Sequence, residues 1–170
     1  MKHYLTSRRH QKGQALFETA VSVLILAMFL AAALEALLFA MSYFQLGFMT
    51  EHVAEVAALS SRGYNASNPL LGNPVQPNAI CADIDTLTAP LVNLGSTYFY
   101  ITDPASSYSS TRCADGATIV VNQSSSSQPI IDVSAQGTHS FLMIPIGPQT
   151  IKSSYSISKG AYNYVTGKYY

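Results

Sequence analysis

The chain has little charge. Asp, Glu, Lys and Arg make up 11% of its 170 residues, against roughly a quarter in an ordinary soluble domain, so a well-charged surface is not what keeps it in place. Basic residues are also too few and too clustered for nucleic acid. Lys2, Arg8, Arg9 and Lys12 crowd an acid-free start, and the rest of the chain holds five bases against nine acids, a formal balance of −4. Phosphate neutralisation requires a lysine and arginine patch on the folded part. Cysteine is scarce as well: Cys81 and Cys113 have no short-spaced companions that would complete a zinc site. The four histidines, His3, His10, His52 and His139, are scattered over leader, helix and strand, which excludes a histidine metal centre. There is no Gly-x-Ser-x-Gly elbow, phosphate loop or His-Glu-x-x-His. Asp83, Asp85, Asp103 and Asp115 supply oxygen, but without the glycine and terminal glutamate of a calcium loop. His139 sits beside Ser140, and neighbours in a strand face opposite ways, so His139 is expected at the surface. The sequence offers no catalytic residue, no metal ligand set and no cofactor site.

Proline is missing from residues 14–62, and one glycine, Gly47, follows the start of that stretch. Rich in Ala, Leu, Met, Phe and Glu, it predicts one continuous helix of about 74 Å. Residues 19–34 carry no charge, nor do residues 36–50, with Glu35 between them. About 20 apolar residues cross a bilayer core of about 30 Å, so residues 19–40 are enough to span and the outer half should project. That half has a stripe through Met49, Val53, Val56, Ala57 and Ser60, with Glu51, His52 and Glu55 on another face. Its apolar face should pack on a globular domain or on neighbouring helices. Gly63 reads as the stop, and "YNASNPLLGNPVQPN" as a loop or hinge over 63–79.

Residues 80–170 read as an extracytoplasmic β-rich domain. Segments 96–102, 117–123, 128–136, 139–146 and 150–158 are short, β-branched or aromatic, and separated by Gly, Pro and Ser clusters. They predict a small antiparallel sheet, with a short helix within 83–95 beside it and the serine runs at 106–110 and 124–127 as exposed loops. Eleven tyrosines either cover the sheet or present an aromatic surface, and "GAYNYVTGKYY" is expected to form a last strand. The fold class is therefore α+β: a basic leader over 1–13, a long N-terminal transmembrane helix over about 14–62, then the sheet domain. Beyond a translocated helix, Cys81 and Cys113 are expected to form one disulfide; two buried free thiols are the alternative.

The N-terminus allows three membrane readings. A secretory signal would end its apolar core after 7 to 15 residues, whereas this one continues to Phe48. A plain signal anchor accounts for Lys2, Arg8, Arg9 and Lys12 by the positive-inside rule but not for Glu18. "RRHQKGQALFE" resembles the cleavage region of type IV prepilins and, more closely, of tight-adherence (Flp-type) pili: a basic leader, a glycine, four residues, a glutamate, then an apolar helix. "GQALFETAVSVLILAMFLAAALE" with "VAEVAALSSRGY" is similar to TadE-like pseudopilins over residues 8–64. It departs from their pattern at Val23–Leu26, where the family often has a proline, and at Ala36, where it often has a glycine. The resemblance implies cleavage between Gly13 and Gln14 by a membrane-embedded prepilin peptidase, with other pilins, inner-membrane assembly proteins and lipid as partners. It implies a non-enzymatic minor pilin in the bacterial inner membrane, its N-terminus cytoplasmic and its C-terminal domain periplasmic or extracellular. An uncleaved single-pass envelope protein whose β-rich domain binds a partner is the alternative.

Cleavage would create an amine one turn from Glu18. A carboxylate and an ammonium near lipid are each costly unless paired, so Glu18 is expected to pair such an amine, its own or a neighbour's, and to set assembly register. Glu35 lies 17 residues further on, about 25 Å along the helix. It either marks the outer membrane boundary or meets a basic residue of a partner pilin.

Overall fold

The computed structural model describes residues 3–62, 71–86, 96–143, 145–160, 162–163 and 168–169, with side chains described only within 14–160. Helix α1 (His3–Ser60) is longer than the expected 14–62 because it continues without a break into the basic leader. Lys2 lies outside the described residues; Arg8, Arg9, Lys12 and Gly13 lie on helical backbone whose side chains are likewise outside them. At 1.5 Å per residue the helix is about 87 Å long.

Its two halves live in different surroundings. From Leu16 to Leu34 the large apolar side chains are exposed, Phe29 to 71%. Among the described residues it is the one helix long and apolar enough to cross a membrane, with mean hydropathy 2.6 in its most apolar window. From Glu35 onward a stripe turns inward through Phe39, Ser42, Leu46, Met49, Val53 and Ala57. Its 3–4 spacing keeps one face toward a partner layer. Met49, Val53 and Ala57 thus lie where the amphipathic pattern put them, and Glu51 and Glu55 point away.

That partner layer is a five-stranded sheet of β1 (Tyr98–Asp103), β2 (Ser109–Arg112), β3 (Thr118–Gln123), β4 (Ile130–His139) and β5 (Gln149–Ser158), in the order β2-β3-β1-β4-β5. The architecture is α+β, but the expected antiparallel sheet is a mixed one. β1 and β3 run parallel, Phe99 opposite Ile119, while the other three pairings are antiparallel. The reason lies in β2, a polar Ser-Ser-Thr-Arg segment that suits an edge and leaves the apolar β3 to fill the place beside β1. The serine run at 106–110 was expected to be a loop throughout, yet its end begins this strand.

Alternation sets the core. Phe99, Ile101, Ile119, Val121, Ile131, Val133 and Ala135 are buried on the face covered by the helices, with α1 across β4 and β5 and α2 (Pro77–Thr86) over β2 and β3. α2 starts earlier than the helix expected within 83–95, and the hinge correspondingly ends before 77. Pro77 explains it: with φ preset and no N–H to lose, proline suits the first helical position, and the Gln76 carbonyl accepts from Ala79 and Ile80. Residues 63–70 and 87–95 lie outside the described part. Of the predicted strand 139–146, only His139 is in a strand among the described residues: β4 ends there and β5 begins at Gln149. The C-terminal segment is a two-stranded ladder, β6 (Tyr162–Asn163) with β7 (Lys168–Tyr169), rather than one last strand.

Candidate functional site

The exposed half of α1 carries Glu18. Gln14 Nε2 donates to Glu18 Oε1 at 3.0 Å, which places residues 14 and 18 on one face, one turn apart. Thr19 Oγ1 and Ser22 Oγ donate back to the carbonyls of Ala15 and Glu18 at 2.8 Å. These hydroxyls therefore satisfy themselves within the helix and do not burden an apolar surface. Glu18 itself stays exposed.

Glu35 is the opposite case. It is 1% exposed, and its Oε1 accepts from the backbone N–H of Leu142 at 2.7 Å and from that of Met143. A carboxylate gripping two consecutive amides is a strong local clamp, because hydrogen bonds to a charged acceptor exceed neutral ones. Oε2 is buried with no hydrogen-bond partner among the described residues. The acid expected to mark a boundary or to meet a foreign cation thus finds its partners in the β4–β5 loop of its own chain, 107 and 108 residues away.

One and two turns along, the same stripe meets His139. His139 is 1% exposed, not a surface residue. Its Nδ1 lies 2.9 Å from Ser42 Oγ, and that hydroxyl also reaches the Leu38 carbonyl at 3.0 Å. Nε2 has no partner. Phe39 and Phe141 meet the imidazole edge-on, centroids 5.4 and 5.0 Å away, and stack on each other at 6.0 Å. Ser42 is 1% exposed too, so this serine and histidine are packing partners with no hydroxyl presented to solvent.

The far end is stitched by charge. Lys159 Nζ lies 2.5 Å from Asp103 Oδ1 and donates to the carbonyls of Leu71 and Asn73 at 3.0 Å each. Three acceptors match the three protons of an ammonium. Asp103 also accepts from Val75 N and Ala105 N. Lys159 and Asp103 are 1% and 0% exposed, and burial pushes the lysine below its ordinary 10.5, opposed by its hydrogen bond and charge contact with Asp103. α2 is held from two sides: His52 Nε2 sits 2.5 Å from Asp83 Oδ2, and Cys81 is bonded to Cys113. Asp85 accepts from Ala114 N and Asp115 N. The four aspartates singled out for calcium are therefore spent on separate contacts, and no group of three metal-ligating side chains occurs among the described residues.

The uncovered sheet face carries Tyr98 and Tyr100, stacked at 6.2 Å, beside a shallow cleft of about 500 Å³ lined by Tyr100, Ser134, Gln136 and Lys152. Two of the eleven tyrosines thus lie on the solvent side of the sheet; the crowd at 162–170 has side chains outside the described residues.

Comparison with protein-family models, with curated proteins and with solved structures found no match.

Sequence reasoning named Glu18, Glu35 and the cysteines, and missed the β4–β5 loop, His139 as a buried group, and Lys159. A signal for the burial of His139 existed, since it continues the inward alternation of 131, 133 and 135; the burial of Glu35 had one as well, at the head of the 3–4 stripe 35, 39, 42, 46, 49, 53.

Proposed function

We propose that the chain is a minor pilin or pseudopilin of a tight-adherence secretion system, a TadE-like protein that builds structure rather than catalysing a reaction. It is inserted with α1 across the bacterial inner membrane, its leader cytoplasmic and its sheet domain outside. A prepilin peptidase cuts after Gly13, and the mature chain assembles with other pilins through the lipid-facing half of α1. The observation that carries this reading is Glu18, placed after Gly13 and four residues at the head of a helix whose apolar side chains are unpacked from Leu16 to Leu34. An exposed helix face of this kind needs lipid or other helices around it. Gln14 already reaches Glu18 with its amide; in the cleaved chain its α-amine lies on the same turn, and the carboxylate answers that amine or a neighbour's.

The unbroken course of α1 from the leader through Gly13 favours the second reading, an uncleaved single-pass anchor whose sheet domain binds an envelope partner. The N-terminal residue of membrane-extracted protein, determined by mass spectrometry with the peptidase present and absent, separates the two. Gln14 at the terminus only when the peptidase is active supports the pilin; an intact leader beside an active peptidase sinks it. Glu18→Gln should leave insertion and cleavage intact and impair incorporation into the assembly.

A further inference from the structure

The β4–β5 loop, residues 140–148, reads Ser-Phe-Leu-Met-Ile-Pro-Ile-Gly-Pro and contains no charge. Leu142 is 70% exposed, Met143 54% and Ile146 49%. Elsewhere beyond α1, every large apolar side chain exposed among the described residues is a tyrosine, Tyr98, Tyr100, Tyr108 and Tyr155, each with a hydroxyl for water. Among the described residues of the sheet domain, large exposed aliphatic side chains thus occur in this one loop.

Its position is as particular as its composition. The loop is pinned to α1 at Glu35, 21 residues beyond Gln14 and so about 32 Å along the helix, close to one hydrocarbon thickness. At the same level α1 exposes Leu34, Leu37 and Met41, 44 to 58%, so helix and loop both present apolar side chains at this height. The backbone fits the same surroundings. A loop bathed in water has its amides solvated without help. Near hydrocarbon, each unpaired amide is heavily penalised. Here the N–H groups of Leu142 and Met143 go to Glu35, and Pro145 and Pro148 have none. A buried carboxylate in this place is accounted for by a loop whose side chains face lipid and whose donors must be answered from within.

We propose that this loop is a second membrane contact: it seats Leu142, Met143 and Ile146 in the outer-leaflet interface beside α1, and Glu35 is the latch that holds it there. The partner is the lipid surface, in the manner of an interfacial apolar wedge. Seated so, the loop fixes the height and rotation of the sheet domain above the bilayer, which a lone helix does not. The proposal rests on the membrane-crossing part of the function proposed above and not on leader cleavage.

The test uses the full chain in vesicles of phosphatidylethanolamine and phosphatidylglycerol. Cys81 and Cys113 are bonded to each other, so a single introduced cysteine takes an environment-sensitive fluorophore. Labels are placed separately at Leu142→Cys, at Ile146→Cys, at Phe29→Cys within the apolar half of α1 and at Tyr108→Cys in the loop at the opposite end of the sheet. Lipids carrying a quencher near the headgroup end of the acyl chain should remove most of the emission at 142 and 146 and leave 108 untouched, and a deep quencher should reach 29. Labels at 142 and 146 as unquenched as 108, with 29 quenched, overturn the loop contact alone; 29 unquenched as well overturns the membrane crossing too. If the 142 and 146 labels are shielded from water but escape the lipid quencher, and the shielding fades on dilution into more lipid, a second copy of the chain covers the loop and the proposal fails.

Discussion

Replacing Lys159 with methionine should be among the most damaging single changes in the sheet domain. The lysine is 1% exposed and Asp103 0%, so the substitution keeps a similar apolar stem and leaves a carboxylate buried without its cation. It also strands the carbonyls of Leu71 and Asn73. Breaking a buried pair from one side costs about 3 to 5 kcal/mol, which for a domain of this size lowers Tm by on the order of 10 °C. Thermal unfolding of the full chain in detergent, followed by the near-ultraviolet tyrosine signal, measures it. The double variant Lys159→Met, Asp103→Asn removes the stranded charge while keeping an acceptor for Val75 N and Ala105 N, and should melt above the single variant. pH adds an independent arm. Burial holds the folded lysine below its ordinary 10.5, so between that lowered value and 10.5 the unfolded chain binds a proton that the folded chain has released. Stability from this group therefore rises with pH across the window and is flat below it. Lys159→Met should abolish that rise. A Tm within about 3 °C of the parent, or an unchanged alkaline slope in the variant, refutes the argument.

The disulfide closes a separation of 32 residues, for which the chain-entropy relation gives about 3.7 kcal/mol; Cys81→Ser with Cys113→Ser should lose about that much in denaturant unfolding, and no loss would mean that the His52–Asp83 and Asp85 contacts hold α2 unaided. Glu35→Ala removes both acceptor contacts to the β4–β5 loop, so hydrogen exchange in a 140–148 peptide should quicken about tenfold or more while peptides of β1 and β3 keep their protection; unchanged exchange would show that the carboxylate is not the clamp.

The helix was legible because its signals are local: no proline, good helix formers and an uninterrupted apolar run. The sheet was legible as β content but not as topology. "FLMIPI" reads as a strand by composition, yet Glu35 takes two of its amides and Pro145 removes a third donor, which leaves little of a ladder edge to pair. β2 went the other way: a serine-rich segment looks like a loop until an edge position makes polar residues suitable. Pairing order is non-local, and nothing in the five segments taken singly says that β3 inserts beside β1. Lys159 and Asp103 are 56 positions apart, and only the folded chain brings them together. Burial of Glu35 was hidden for a different reason: an acid in an apolar run suggests a membrane boundary, and that reading directs attention away from its place in the inward stripe.

Glu18 and Glu35 of α1 divide roles that their sequence context makes look alike. A carboxylate already held by two amides, and 1% exposed, cannot reach a neighbouring subunit without first releasing its loop. Any foreign cation offered to Glu35 must compensate for that release. Glu18 faces no such cost, since its carboxylate is held on an exposed face by the side-chain amide of Gln14. In the proposed pilin, intermolecular pairing therefore falls to Glu18, while Glu35 clamps its own loop. Assembly-defective variants should follow the same division: loss at Glu18 spares the sheet domain, whereas loss at Glu35 acts first on how that domain sits against its helix, and on assembly only through it.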